Sequence, residues 1–253
     1  MVLTDKPWFK PNFPEFDGLH CLSTMRASIT NSDPIGHSLP PYNQFNLGLH
    51  VHDDPVAVIQ NRSELPCPTR IAWLKQTHSD RVVNSQQVFD VGLPIDADAC
   101  WTQQIGHVCA VMTADCLPVL LFDTNQRKVA AVHCGWRGLQ QRIISRTIKV
   151  MNADPLDIFV WLGPAIGAQV FEVGEDVLAA FAQVDKNYQQ CFTAANNKFL
   201  LNIYSLAKVE LEQLGISNIY FDDVCTYSNP EAFYSYRRDG ATGRMASLIW
   251  LER

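Results

Sequence analysis

The sequence predicts one domain of mixed α/β (α+β) class over residues 1–253. Three observations predict it. Short apolar runs bounded by turn residues recur along the chain and read as buried strands. Between them lie stretches whose apolar residues fall at helical spacing. No repeat, low-complexity segment or linker divides the chain.

Residues 1–18 are a Pro- and aromatic-rich lead-in, a strand or an extended arm. Residues 19–28 read as a strand ending near Met25 and Arg26. Residues 31–42, with Pro34, Gly36, Pro40 and Pro41, form a loop of the kind that often carries function. Asp53-Asp54-Pro55 starts a helix, with Asp at the cap and Pro in the first turn; the helix runs over 55–65 and carries Arg62. Residues 71–76 form a strand that Thr77-His78-Ser79-Asp80 ends, and 81–87 read as a second strand. Asp96-Ala97-Asp98-Ala99 is a turn leading into Cys100-Trp101-Thr102.

The central stretch is VCAVMTADCLPVLLFDTNQRKVAAVHCGWRGL, residues 108–139. Apolar strands at 108–112, 117–122 and 129–132 are separated by a polar break at 113–116 and a turn at 123–127. Beyond it, the spacing of Ile143, Ile144, Thr147 and Val150 predicts a helix over 138–151. A strand at 158–162 meets Gly163-Pro164-Ala165-Ile166-Gly167. Helices follow at 175–181 and 203–214, the second stopped by Gly215. A strand at 219–221 leads into 222–226, residues 233–240 form a loop, and 245–251 close the chain as a strand.

Composition excludes several classes. Net charge is −6 and no Lys/Arg-rich segment exists, so no nucleic-acid footprint is present. Asp123 and Arg127 interrupt the longest apolar stretch, so no membrane span is expected. The N-terminal segment has prolines and acids where a signal peptide needs an apolar core, which predicts a cytoplasmic protein. The eight cysteines include no CxxC pair, and Cys100, Cys109, Cys116 and Cys134 lie in apolar or strand-like contexts. They are expected to be reduced and mostly buried, not a disulfide framework or a zinc knuckle.

Three residues at strand ends, His78, Cys116 and His133, are the candidate site. If the strands around the turn at 123–127 pair antiparallel, Cys116 before one lies beside His133 at the end of the other. Two imidazoles and a thiolate suit zinc or copper, and three protein ligands leave one position for water or substrate. A metal-free alternative makes Cys116 a nucleophile with a histidine as base. Asp115 either orients a base or substrate or caps the turn. Arg62, Arg137, Arg237, Arg238 and Arg244 are each either a fork for an anionic group or a surface ion pair. His107 and Cys109 read as core, and His20, His37 and His52 have no supporting context.

The segments TADCLPVLL, VAAVHCGWRGL, WLGPAIG, FEVGEDV and FYSYRRDGATGRMASLIWL, with FNLGLHVHDDPVAVIQNR and WLKQTHSDRVV upstream, resemble the YfiH/laccase-domain family over residues 20–252. Members of that family have been called polyphenol oxidases, multicopper oxidoreductases and peptidoglycan editing factors. The resemblance implies a single domain of two mixed sheets between helical layers (α/β/β/α), similar to the catalytic domain of cytotoxic necrotising factor. It implies zinc, Zn2+, held by His78, Cys116 and His133. It also implies phosphorolysis of adenosine, inosine and methylthioadenosine, and deamination of adenosine, with nucleoside and phosphate as the small-molecule partners. On this reading Arg62, Arg26 or Arg237 holds phosphate, Asn46 hydrogen-bonds the nucleoside, and Asp115 and His50 are secondary candidates. A homodimer is the candidate assembly. The alternatives are a Cys116-dependent amide hydrolase acting on cell-wall precursors and a copper-dependent phenol oxidase. Two departures stand out. The stretch Ser23-Thr24-Met25-Arg26-Ala27-Ser28 lacks the family's paired glycines, which restricts the backbone of that loop, and position 52 is His where the family tends to have Gly.

Overall fold

The structure is a computed structural model that describes residues 5–28 and 35–253. Residues 31–34 of the expected loop lie outside the described residues. The chain opens with β1 (Trp8–Phe9) and β2 (Leu19–Thr24), then helix α1 (Pro55–Ser63). Next come β3 (Ile71–Ala72), β4 (Val82–Asn84), α2 (Ser85–Val91) and β5 (Ala99–Thr102). The central run is β6 (Val108–Thr113), β7 (Leu117–Asp123) and β8 (Lys128–Cys134). Helices α3 (Trp136–Gln140) and α4 (Ile143–Met151) precede β9 (Ile158–Leu162), β10 (Glu172–Val173) and α5 (Glu175–Ala182). The chain ends with β11 (Phe192–Ala195), β12 (Lys198–Leu201), α6 (Ile203–Gln213), β13 (Asn218–Phe221), α7 (Tyr236–Asp239) and β14 (Met245–Leu251).

Two large mixed sheets face each other. One has the order β1-β2-β14-β6-β3 and the other β13-β9-β7-β8-β5-β4. Each is antiparallel except at its edges, where β3 runs parallel to β6, β4 to β5 and β13 to β9. Between the sheets, Cys109, Val111 and Ile249 meet Leu120, Phe122 and Ala131. On the far side of the six-stranded sheet, Val119, Leu121, Ala130 and Val132 pack on Ile144 and Ile148 of α4 and Leu206 of α6. On the far side of the five-stranded sheet, Ala110, Leu248 and Trp250 are covered by Phe45, Leu47 and Leu65. Both faces of the central strands are thus dry, which is why β7, β8 and β14 read as unbroken apolar runs. The expected mixed α/β class holds, with a small third sheet, β10-β12-β11, added beside it.

Local chemistry moved several boundaries. Helix α1 starts as expected: Asp54 accepts a hydrogen bond from the Val56 amide, and Pro55 fills the first turn. The expected strand over 81–87 stops at Asn84, because Asn84 and Gln87 form a reciprocal capping box that turns the chain into α2. The strand expected over 71–76 keeps ladder pairing only at Ile71–Ala72. The helix expected over 138–151 is two helices, broken at Arg142, whose φ of 61° is left-handed. Val150, assigned to its buried face, is 43% exposed; Ile148 and Met151 are buried instead. Four residues of the expected loop over 233–240 form α7, capped by Ser235.

Leu120 is fully buried at the centre of the inter-sheet core. Leu120→Ala should lower the unfolding free energy by about 3 kcal/mol, measured by chemical denaturation.

Candidate metal centre

The β7–β8 hairpin sets the site. Its register pairs Leu117 with Cys134 and Pro118 with His133, so Cys116 lies beside the end of β8. The antiparallel pairing expected from the sequence is the one observed. His78 arrives from the loop before β4 with φ 59°, a left-handed conformation that aims its ring back at the hairpin. His78 Nε2 lies 3.8 Å from Cys116 Sγ, and the His78 and His133 rings stand 4.9 Å apart at 76°. One ligand atom from each of the three residues falls within 4.8 Å of the other two.

This donor set fits a single metal ion. Bond lengths of about 2.3 Å to sulfur and about 2.0 Å to nitrogen give an S–N edge near ~3.5 Å in a tetrahedron. The observed 3.8 Å needs only a small contraction. Gly135 leaves room for it. A Cβ there would lie 2.8 Å from His78 Cδ2 and 3.3 Å from Cys116 Sγ, inside the space the three ligands share. His133 is buried and His78 is exposed, so the cluster opens to solvent on one side.

Asp98 was not among the residues singled out in the sequence, and it organises both histidines of the site. It is fully buried just before β5, which pairs with β8 at Ala99 and Val132. Its carboxylate accepts hydrogen bonds from the amides of Thr77, His78 and Ser79 at 3.1, 3.0 and 2.7 Å. It also accepts from Ser79 Oγ and from His133 Nδ1, at 2.7 and 2.8 Å. Burial alone would raise its pKa, but the His133 and Ser79 hydrogen bonds overcome that and hold it well below the ordinary carboxylate range. With Nδ1 engaged, His133 presents Nε2 to the cluster, the carboxylate–histidine–metal arrangement. The signal was an acid directly before a strand; which strand it would abut was not visible.

The electrostatics are those of a thiolate–imidazolium pair. Burial opposes both charges, yet His133 and His78 lower the Cys116 thiol to about 6. The Cys116 and Asp98 charges raise His133 to about 9 against the same burial. Arg244 is half-buried; burial lowers its pKa, while Cys116 and Asp115 act in the opposite direction.

The other candidates separate into two groups. Asp115, at φ 97°, is a clamp: its carboxylate accepts from Thr226 Oγ1 and the Arg237 amide, both at 2.7 Å. Asn46 is fully buried and its amide is filled by Gly48, Asp53 and Arg244, so it shapes the loop after β2. Arg26 is committed to Asn43, Pro230 and Asp239. Arg237 is exposed and bonds the Glu172 carbonyl. Arg238 is tied to carbonyls and Asp239, and Arg137 lies over Trp136. Arg62 and His50 stay near the ligands: partial enclosure, then Arg244, Arg62 and His133, hold His50 at about 4. His52 is exposed with φ 70°, the backbone region where glycine is at ease, and is not part of the cluster. His107 and Cys109 are buried, as expected, and the eight cysteines are free thiols.

A family model described as "Multi-copper polyphenol oxidoreductase laccase" matches residues 27–252. The chain belongs to this family. A Haemophilus influenzae protein named purine nucleoside phosphorylase is 43% identical, covering 96% of this chain and 98% of the relative. The Escherichia coli protein named purine nucleoside phosphorylase YfiH is 42% identical over 95% of this chain and 97% of its own. The crystal structure of the Neisseria meningitidis protein NMB0706 superposes with a TM-score of 0.89 at 41% identity, covering 98% of this chain and 100% of that one. Despite the multi-copper wording, the described residues assemble one ligand cluster, of three residues. Among the described residues, no helix is long and apolar enough to cross a membrane.

Asp98→Asn should weaken metal affinity by roughly 10–100-fold, measured by competition with a chelator, while Cys116 and both histidines remain in place. In metal-free protein, alkylation of Cys116 by iodoacetamide should rise with pH through about 6 and then level off. The sign follows from the depressed pKa: the unreactive thiol dominates only below it. An inflection near the ordinary thiol value would show that the histidines do not stabilise the thiolate.

Proposed function

We propose that this chain is a zinc-dependent purine nucleoside phosphorylase that also deaminates adenosine, acting in the cytoplasm on adenosine, inosine and methylthioadenosine. The observation that carries the reading is the convergence of His78, Cys116 and His133 on one point with one side open. Relatives that share nearly the full length are named for the phosphorylase activity. Zinc is preferred because thiolate and imidazole are both usual ligands of zinc, and three protein ligands leave its fourth position for water or substrate.

Zinc, when bound, supplies Lewis acidity to a water or a substrate hydroxyl. The remaining work belongs to the chain. Asp98 fixes the tautomer and direction of His133 and, through three amides, the position of His78. Asp115 holds the backbone that presents Cys116. Arg62, stacked 3.9 Å over Trp73, carries positive charge beside the loop that leads to His50. In phosphorolysis a phosphate oxygen bonds to the ribose C1′ as the C1′–N9 bond breaks. The electron pair leaves with the purine, which takes up a proton. Positive charge builds on the ribose in the transition state, and the anionic nucleophile must be held close to it.

Zinc-loaded protein incubated with adenosine and phosphate should yield adenine, ribose 1-phosphate and inosine. Elemental analysis should find about one zinc per chain, as three donors around one point require. Product no higher than in a His78→Ala control would overturn the reading.

A further inference from the structure

Two half-buried guanidiniums beside the candidate metal ligands make no direct ion pair with a described carboxylate. The described arginine ion pairs involve Arg26, Arg146 and Arg238. Arg62 and Arg244 have none among the described residues. Arg62 spends Nε and Nη2 on the Leu47 carbonyl, at 2.9 and 2.7 Å, and lies over Trp73. That leaves its Nη1 edge uncommitted. Arg244 donates only Nη1, to the Thr242 and Gly243 carbonyls, both at 2.9 Å. Its Nε/Nη2 edge, the fork that grips an oxyanion through two parallel bonds, is unused.

Both arginines flank one strip of chain. Arg62 holds the carbonyl of Leu47, whose amide donates to the Arg244 carbonyl at 3.1 Å. The stem of Arg244 lies flat on Gly48, where a Cβ would come within 2.8 Å of Arg244 Cγ. The strip ends at His50, which is exposed and has no hydrogen bond to any described residue. The sheet register places this group next to the ligands. Met245 pairs with Thr113, so Arg244 lies across from Ala114, two residues before Cys116. Arg62 Nη2 reaches Met112 Sδ on the same strand at 3.8 Å. Cys116 and Asp115 act on the Arg244 charge from beyond hydrogen-bond distance, but neither bonds its free edge, and a half-buried cation gains from an anion that does.

We infer that Arg62, Arg244 and His50 form the seat of a tetrahedral oxyanion, inorganic phosphate, beside the three metal ligands. This rests on the phosphorylase reading and assigns its second substrate a place. Arg26 is spent on Asn43, Pro230 and Asp239, and Arg237 is exposed, over the Phe171 ring and bonded to the Glu172 carbonyl, so neither is assigned to the seat. Arg244 supplies the two-bond fork, Arg62 a single edge, and His50 closes the solvent side.

The test uses full-length, zinc-loaded protein and equilibrium dialysis of radiolabelled inorganic phosphate, with zinc content measured alongside. Wild-type protein should bind phosphate saturably. Arg244→Gln and His50→Glu should each weaken phosphate binding about tenfold or more, with zinc content unchanged. His50→Glu guards against a folding failure of Arg244→Gln, because His50 is exposed and unbonded. Absence of phosphate binding in the wild type, or wild-type phosphate affinity in both variants, would sink the seat. The two readings fail separately. Phosphate binding lost in the variants, with no ribose 1-phosphate formed by the wild type, keeps the seat and rejects the phosphorylase. Ribose 1-phosphate formed by the wild type, with phosphate binding intact in both variants, does the reverse.

Discussion

The buried carboxylate of Asp98 is the constraint on which the site depends. One side chain gathers three consecutive amides of the loop at 77–79 and the Nδ1 of His133. A carboxylate so deep is tolerable only because donors surround it. The same bonds carry His78 and His133 to one place. Backbone pairing of β5 with β8 fixes how far Asp98 stands from His133, so a sheet register becomes a ligand distance.

Charge is distributed around that point with a consistent logic. Cys116 and Asp98 carry the negative charge, and the two histidines offset it from inside the cluster. Farther out, Arg62 and Arg244 add positive charge that makes no direct ion pair with a described carboxylate, although Asp115 and Cys116 act on Arg244 from a distance. The inner groups fit a cation and the outer groups fit an anion. Backbone strain gathers here too: His78 and Asp115 both sit at positive φ, and each is held there by hydrogen bonds from neighbouring loops.

Much of this was legible in the residues. The Leu117–Asp123 and Lys128–Cys134 strands were readable because a long apolar run between turn residues has few other fates. Their hairpin then required Cys116 and His133 to meet. Helix α1 was legible through Asp54 and Pro55, whose effects act over one turn. The segment over 81–87 reads as a strand because its apolar residues suit one, while the Asn84–Gln87 capping box, a four-residue feature, ends that strand at Asn84 and starts a helix. The break at Arg142 is not legible, because a left-handed residue interrupts the helix without any Gly or Pro to announce it.

The sequence by itself determined the mixed α/β class, the central hairpin and the three side chains that form the candidate metal site. It could do so because apolar period and turn chemistry act between near neighbours. Only the tertiary structure decided which acid supports His133, which arginines are already spent on carbonyls, and which remain open beside the ligands. Those outcomes depend on contacts between distant segments, such as Arg244 with Asn46 or Asp98 with His133. No local pattern encodes them, because partners so far apart are chosen by packing of the two sheets.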